Sequence, residues 1–273
     1  MTRDPDAASP ILFGRRGHVA IVTLNRPDRG NALSSAMATR LAECYAEIRT
    51  NPDIRCVVFT GAGDRHFSTG ADIEEVSGDG PIGGGYGTIK DEVRWSPRQN
   101  DLWKPTICAV NGLVAGGGLH FVVDCDIIVA AQTAQFLDTH TAVGMVGAIE
   151  NIGLARRLPL GTALRMTLQG KSFRLSAQRA FQLGLVDEVV APHKVLDTAV
   201  EIAERISENS PNATSLSLRA VWSALELPYS QALEYGYSLV RMQWTHPDFT
   251  EGPRAFVERR PPVWSSGAPS STR

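Results

Sequence analysis

The sequence lacks the features that mark membrane, secreted and nucleic-acid-binding proteins. No apolar run approaches the roughly 20 residues that a transmembrane helix requires, and the polar N-terminus, MTRDPDAASP, contains no apolar signal segment. Positive and negative charges nearly cancel, with a formal net charge of −2, so the chain has no strong excess of basic residues for binding nucleic acid or an anionic membrane. We therefore expect a cytoplasmic protein with no nucleic-acid or membrane partner.

Cysteine is scarce, and several enzyme motifs are missing. The four cysteines lack C-x-x-C spacing and mostly lie in apolar runs, which predicts buried reduced thiols. The stretch GAGDRHFSTG has neither the lysine nor the spacing of a P-loop, and residues 112–118 do not match the dinucleotide-binding pattern G-x-G-x-x-G. There is no G-x-S-x-G and no H-E-x-x-H. These absences argue against nucleotide, α/β-hydrolase and zinc-protease chemistry.

Apolar spacing predicts strands that alternate with helices up to about residue 190, followed by a helical C-terminal part. The segment ILFGRRGHVAIVTLN predicts a hairpin, and Met37, Leu41, Tyr45 and Ile48 lie at helical spacing. Further strands are predicted at RCVVFTGAG, KPTICAVNG and CDIIVAA. Further helices are predicted at ADIEEV, around residues 90–102, and at 163–168, 177–183 and 195–206. No long linker interrupts the chain, so we expect one catalytic core with a helical tail.

Two glycine-containing junctions carry the chemistry. They are GAGDRHFSTGADIEEV (61–76) and AVNGLVAGGGLHFVVDCDIIVA (109–130), and in each a predicted strand passes into a predicted helix. Glycine lets a ligand approach the main chain closely, and a helix N-terminus supplies unpaired N–H donors with a partial positive charge. If the two junctions face each other, they form a pocket for a developing oxyanion.

The motifs together resemble the crotonase (enoyl-CoA hydratase/isomerase) superfamily. The resemblance spans about residues 11 to 264 and rests on NRPDRGNALS, HFSTGADI, KPTICAVNGLVAGGGLHFVVDCDIIVA, AQFLDTH, QGKSFRLSAQRAFQLGLVDEVV and EGPRAFVERRPPVW. It implies an α/β fold in which a spiral of ββα units over 11–200 follows a disordered tail over 1–10. It also implies a helical region over 201–273 that mediates association into trimers or dimers of trimers.

The resemblance further implies an enzyme that holds an acyl-CoA thioester and stabilises its enolate. Coenzyme A would enter as part of the substrate, with no permanently bound cofactor. The family's two oxyanion-hole amides fall on Ala71 and Gly117, each at the start of a predicted helix. Its coenzyme A contacts, largely made by backbone, fall on Arg26, Ala32, Leu33, Arg65, Ser68, Thr69, Gly70, Asp72 and Ile73.

The sequence departs from the family at the catalytic positions. Well-studied hydratases of the family use two glutamates as acid and base, whereas the corresponding residues here are His120 and His140. A downstream stretch of the type P-G-x-G-G is replaced by VGAIENIG, which predicts that Glu150 lies near the pocket wall.

Three interpretations of this change remain open. In the first, which we favour, the histidines are acid–base groups for enolate chemistry on an acyl-CoA (hydration, isomerisation or a retro-reaction of lyase type), because imidazole titrates near pH 6.5. In the second, His140 and a carboxylate, Glu150 or Asp138, activate water to hydrolyse a C–C bond in a 1,3-diketone without coenzyme A. In the third, the protein binds acyl-CoA without turnover. A metal held by His120, His140 and Asp138 is not predicted, because the sequence offers no further ligand.

Overall fold

The computed structural model describes residues 9–80, 82 and 85–265. Most of the predicted tail over 1–10 therefore lies outside the described residues. The strands of the described part are β1 (Ile11–Arg16), β2 (Val19–Leu24), β3 (Cys56–Gly61), β4 (His66–Ser68), β5 (Thr106–Val110), β6 (Leu113–Ala115), β7 (Ile127–Ala131), β8 (Gln135–Leu137), β9 (Leu175–Ser176) and β10 (Glu188–Val190).

The α-helices of the same part are α1 (Ser35–Thr50), α2 (Ile73–Asp79), α3 (Ile89–Glu92), α4 (Leu119–Asp124), α5 (Ile149–Arg157), α6 (Leu160–Gln169), α7 (Ala177–Gln182), α8 (Val195–Ser207), α9 (Pro211–Ser223), α10 (Tyr229–Trp244) and α11 (Asp248–Glu258). Short 3₁₀ turns join several of them, and those at Gly116–Gly118 and His140–Val143 matter for the site.

The strands form two sheets. The larger has the order β1-β2-β3-β5-β7-β10, and the smaller has the order β4-β6-β8-β9. In the larger sheet only the predicted hairpin, β1 with β2, is antiparallel, and the other neighbours are parallel. All six residues of β3 are buried, as expected for a central strand of a parallel sheet covered on both faces.

The chain repeats one unit three times. A longer strand enters the large sheet, a shorter strand enters the small sheet, and a helix follows: β3-β4-α2, β5-β6-α4 and β7-β8-α5. This pattern confirms the predicted α/β spiral of ββα units. It also positions the site, because β4 pairs with β6, with His66 opposite Leu113 and Ser68 opposite Val114. The starts of α2 and α4 are thereby brought side by side.

The first helix shows how local sequence produces this structure. The Ser34 hydroxyl accepts a hydrogen bond from the amide of Met37 at 3.3 Å and so caps α1. The apolar residues predicted at helical spacing are all buried. One of them, Tyr45, donates its hydroxyl hydrogen to the carbonyl of Trp95 at 2.7 Å, which fixes a segment that borders the site.

The prediction of one continuous helix around residues 90–102 is wrong. Helix α3 ends at Glu92, and a single 3₁₀ turn follows at Arg98–Asn100. Pro97 separates the two pieces, because proline removes an amide donor and disfavours helical backbone in the residue before it. The break leaves the amides of Trp95 and Ser96 available to a side chain.

The C-terminal part is helical in the described residues, as predicted. Helix α9 is tied to the core by Trp222, whose indole N–H donates to Asp126 Oδ1 at 2.7 Å. The predicted domain division at residue 200 stays a prediction. All four cysteines are free and buried. Within the described residues, none of the helices combines the length and apolar character needed to span a membrane.

Candidate active site

The two glycine junctions meet. Gly70 has a φ of +90°, and a Cβ built on it would lie 2.9 Å from the amide nitrogen of Gly117. A Cβ built on Gly117 would lie 3.6 Å from the amide nitrogen of Ala71. The amides of Ala71 and Gly117 are therefore close neighbours, and the small size of glycine allows this approach.

The main-chain amides of Ala71 and Gly117 are not needed for hydrogen bonds within the local secondary structure. The bridge between Leu33 and Ala71 is made by the amides of Leu33, bonded to Gly70 O, and Asp72, bonded to Leu33 O, both at 2.8 Å. The amide of Ala71 takes no part in it. Gly117 lies in the first turn of its 3₁₀ helix, where amides have no acceptor within the helix. Both amides can therefore donate to a ligand.

A cavity of about 430 Å³ opens beside these amides. Its walls combine the two predicted oxyanion-hole residues, both histidines and a set of mostly apolar side chains: Leu33, Val76, Ile82, Trp95 and Met145. A concave, mostly apolar site with a few convergent polar groups is typical of small-molecule binding.

His140 is fixed by a buried carboxylate. Asp138 Oδ1 accepts hydrogen bonds from His140 Nδ1 at 2.6 Å and from the His140 amide at 3.0 Å. The hydrogen bond to Asp138 raises the pKa of His140 above its ordinary value despite partial burial, and the charge of Glu150 raises it further. Burial alone would raise the pKa of Asp138, but hydrogen bonds from His140 and Asn151 outweigh it and lower that pKa.

Glu150 lies behind the histidines: it is 3.0 Å from His140, which lines the cavity, but it does not line the cavity itself. It sits in the first turn of α5 with 3% of its surface exposed. Its Oε1 is 3.0 Å from His140 Nδ1, yet it receives no hydrogen bond, because the single hydrogen on Nδ1 is directed to Asp138. Burial raises the pKa of Glu150. The carboxylate that orients His140 is therefore Asp138.

His120 is chemically different from His140. It is buried in α4, and burial, together with the nearby His140, lowers its pKa to about 4. Its Nδ1 lies 3.0 Å from Gln99 Nε2, and its Nε2 lies 3.5 Å from Glu150 Oε2. At neutral pH His120 is therefore uncharged, whereas the pKa of His140 is shifted in the opposite direction, upward.

Comparison with known proteins identifies the family. A model of the enoyl-CoA hydratase/isomerase family matches residues 14–267. The chain belongs to this family. Enoyl-CoA hydratases and isomerases process acyl-CoA thioesters, and the resemblance inferred from the motifs is thereby confirmed.

Individual members of the family match along nearly their whole length. The chain is 34% identical to (E)-benzylidenesuccinyl-CoA hydratase of Thauera aromatica, covering 93% of this chain and 98% of that protein. It is 33% identical to enoyl-CoA hydratase EchA19 of Mycobacterium tuberculosis, covering 94% and 96%. The crystal structure of an enoyl-CoA hydratase/isomerase from Mycobacterium paratuberculosis superimposes with a TM-score of 0.85 at 36% identity, covering 96% and 100%.

The family's expected coenzyme A segments lie next to each other, but their side chains are mostly committed elsewhere. Arg26 donates to the carbonyl of Ala32 at 2.7 Å and to Asp72 Oδ2 at 2.8 Å, which ties the first segment to the start of α2. Ser68 is buried and donates to the carbonyl of Asn31 at 3.0 Å. These side chains hold the backbone of the two segments in place.

Some of the remaining residues predicted to contact coenzyme A hold the two segments together, and others are exposed at the surface. Thr69 donates its amide hydrogen to the carbonyl of Gly30 at 3.0 Å. Leu33 lines the cavity. Arg65 is exposed, and Ile73 is 49% exposed. Arg65 is therefore accessible to a phosphate, whereas Arg26 is held by Asp72.

Two supporting residues, Gln99 and Asn151, were missed by sequence reasoning. Asn151 donates to Asp138 Oδ2 at 2.7 Å, so both oxygens of that carboxylate are held. A Cβ built on Gly147 would lie 2.5 Å from Asn151 Nδ2 and from Asp138 Oδ2, so this contact requires glycine there. No local pattern connects either residue with the site, because His120 is 21 residues from Gln99 and Asp138 is 13 residues from Asn151.

A metal could in principle be held by Asp138, His140 and Glu150, whose ligand atoms lie within 4.8 Å of one another. This set differs from the one considered from the sequence, because Glu150 takes the place of His120. A cation at this position would have to displace the hydrogen bond between Asp138 and His140.

Proposed function

We propose that this protein forms an enolate from an acyl-CoA thioester, with His140 as the acid–base group. The thioester oxygen would accept hydrogen bonds from the amides of Ala71 and Gly117. One observation carries the proposal: a Cβ built on Gly116 would lie 3.5 Å from His140 Cε1 and 3.9 Å from Nε2. The ring of His140 therefore lies next to Gly116, the residue immediately before Gly117.

The bond to Asp138 sets the chemistry of His140. Because Nδ1 carries the hydrogen that Asp138 accepts, the neutral ring presents a lone pair on Nε2. In the hydration direction, the oxygen of water bonds to the β-carbon while Nε2 takes one of its protons. The electron pair of the double bond moves onto the thioester oxygen, and the α-carbon of the enolate then takes the proton back from His140.

The two amides stabilise the charge that develops in this step. Fixed donors that point at a developing oxyanion need no reorganisation during the reaction, and each contributes about 10²–10³ in rate. Glu150 lies behind His140, and His120 lines the cavity. Glu150 acts by its charge on His140, and His120 acts by its position.

The substrate is proposed to be a coenzyme A ester with an apolar acyl group. The side chains of Val76, Ile82, Trp95 and Met145 favour hydrophobic contact over hydrogen bonding. Coenzyme A would leave the cavity along residues 26–33 and 65–73 as part of the substrate, with no other cofactor. The names of both relatives as hydratases support hydration as the reaction.

A second candidate is hydrolysis of a C–C bond in a 1,3-diketone, and the Asp138–His140 pair specifically favours it. In this reaction water attacks a ketone carbonyl while His140 takes its proton. The C–C bond then breaks, its electron pair leaves as an enolate, and the enolate takes the proton. Turnover of a diketone that carries no coenzyme A would distinguish this candidate from the first.

The test combines binding and enolate formation. An aromatic enoyl-CoA should show a red-shifted absorption band when its carbonyl is polarised by the two amides. In D₂O, a panel of acyl-CoA esters should exchange α-hydrogens for deuterium with the wild type but not with His140→Ala. A red shift without exchange or hydration would favour binding without turnover, and the absence of any binding would refute the proposal.

We also propose that the protein assembles as a homotrimer or a dimer of trimers through the C-terminal helices, which would make residues 201–273 an association region. Large apolar side chains are exposed there, including Val221 at 71%, Phe256 at 86% and Val257 at 79%. Contiguous exposed apolar surface marks interaction sites. The cytoplasmic location stays a prediction from the sequence.

A further inference from the structure

The side chain of Gln99 makes three hydrogen bonds that determine its orientation. Its Oε1 accepts from the amides of Trp95 at 3.0 Å and Ser96 at 3.1 Å. A backbone N–H can only donate, so the atom that receives both bonds must be the amide oxygen. The atom 3.0 Å from His120 Nδ1 is therefore the nitrogen, Nε2.

This orientation determines where His120 carries its proton. The amide nitrogen of Gln99 can only donate, so His120 Nδ1 must accept through its lone pair. A neutral imidazole has a single N–H, which therefore lies on Nε2. That nitrogen faces Glu150 Oε2 at 3.5 Å.

The two histidines are thus held in opposite tautomers. His140 has its proton on Nδ1, directed to Asp138, and its Nε2 accepts protons. His120 has its proton on Nε2 and cannot gain one on Nδ1 while Gln99 donates there. Turning the Gln99 amide over would leave the amides of Trp95 and Ser96 without their acceptor, and Ser96 is fully buried.

We propose that Gln99 is a positioning residue that locks His120 in the Nε2–H tautomer, so that His120 is a fixed hydrogen-bond donor toward Glu150 and not an acid or base. In this arrangement the Nε2–H of His120 faces Glu150 Oε2 at 3.5 Å. The catalytic consequence rests on the proposed function, because it matters only if His140 performs the acid–base step. The tautomer itself does not depend on any reaction.

The tautomer is measured by long-range ¹H–¹⁵N NMR of the full-length protein, which distinguishes protonated from bare imidazole nitrogens. At pH 7 we expect the His120 signals of the wild type to show a protonated Nε2 and a bare Nδ1. In Gln99→Glu, one carboxylate oxygen can keep the bonds to Trp95 and Ser96 while the other accepts from Nδ1, so His120 should acquire an Nδ1–H. A protonated Nδ1 in the wild type would overturn the proposal.

Two further variants make the test specific. Gln182→Glu makes the same chemical change on the exposed face of α7 and should leave the His120 signals as in the wild type. Gln99→Met removes both donor and acceptor, so it should give a mixture of tautomers even if Gln99→Glu does not fold. A single Nε2–H tautomer that persists in Gln99→Met, or in a folded Gln99→Glu, would show that Gln99 does not set it.

Kinetic measurements then test separately whether Gln99 affects catalysis. For the best acyl-CoA ester, Gln99→Glu should lower kcat by about tenfold and change KM by less than about twofold. Gln182→Glu should change neither. If no acyl-CoA is turned over, the proposed function fails while the NMR result still decides the tautomer. If the tautomer changes and kcat does not, the positioning role is refuted.

Discussion

Asp138 Oδ1 lies 2.6 Å from His140 Nδ1 and 3.0 Å from the amide nitrogen of the same residue. A single carboxylate oxygen thereby fixes both the ring and the backbone of His140. The other oxygen is held by Asn151 at 2.7 Å. The carboxylate cannot turn without losing several bonds, and His140 keeps one ring orientation and one tautomer.

Asp138→Asn should impair catalysis without unfolding the protein. The amide oxygen can still accept from the His140 amide and Nδ1, but the variant loses the negative charge that stabilises protonated His140, and its NH₂ group faces the NH₂ group of Asn151. We expect kcat to fall by about 10²–10⁴, measured as α-hydrogen exchange or hydration. Glu204→Gln, which changes a carboxylate in an exposed pair with Arg16, is the control. Near-wild-type turnover in Asp138→Asn would contradict the role of the pair.

The pH dependence of the reaction should depend on Glu150. His140 must be neutral to act as a base, and its pKa is raised above the ordinary 6.5, so activity should fall as the pH drops through that raised value. Glu150→Gln removes a charge that raises this pKa, so the acidic limb should move to lower pH. The pH–rate profile and an NMR titration of His140 measure this shift. An unchanged limb would show that Glu150 does not act on His140 by charge.

Stability should respond to His120 with a predictable sign. Its folded pKa of about 4 lies below the ordinary 6.5, so between these values the unfolded chain binds a proton that the folded protein excludes. Stability contributed by the neutral ring is therefore lost as the pH falls from 6.5 toward 4, by at most about 3 kcal/mol. In His120→Gln, the free energy of unfolding should fall less steeply over this range. His193→Gln, at an exposed site, should retain the wild-type slope in urea titrations, and equal slopes in all three proteins would refute the assignment.

The approach of the two amides can be tested with matched glycine variants. In Gly70→Ala the new Cβ would lie 2.9 Å from the Gly117 nitrogen on a backbone with a φ of +90°, so it is strained and obstructs the amide. We expect the red shift of a bound aromatic enoyl-CoA to disappear and kcat to fall by about 10²–10³. In Gly14→Ala the Cβ has no atom within 4 Å, so the red shift and kcat should remain as in the wild type. A full red shift in a folded Gly70→Ala would place the carbonyl elsewhere.

Association should depend on the exposed apolar side chains of the C-terminal helices. By light scattering, the wild type should have three or six times the 29.5 kDa of one chain. Val221→Glu combined with Val257→Glu should weaken the assembly, because a charge is costly to bury in an interface. Tyr86→Glu, at a fully exposed residue outside these helices, should not change the mass. A wild-type monomer at micromolar concentration would contradict the proposal.

Much of the fold was predictable, because its signals are local. The hairpin, the capped helix α1 and the buried strand β3 depend on side-chain periodicity, a serine cap and a run of apolar residues. The three-residue strands β4, β6 and β8 are too short to show a period, and Pro97 divides the helix predicted over 90–102.

The sequence by itself determined the family, the two glycine junctions and the presence of histidine at both catalytic positions, because these depend on residue identity and on backbone freedom within a few residues. Only the tertiary structure decided the surroundings of each histidine. Asp138 binds His140, Gln99 binds His120 across 21 residues, and Glu150 lies behind both. The charge and tautomer of an imidazole depend on its burial and on its hydrogen-bond partners, which chain folding brings together from separate segments.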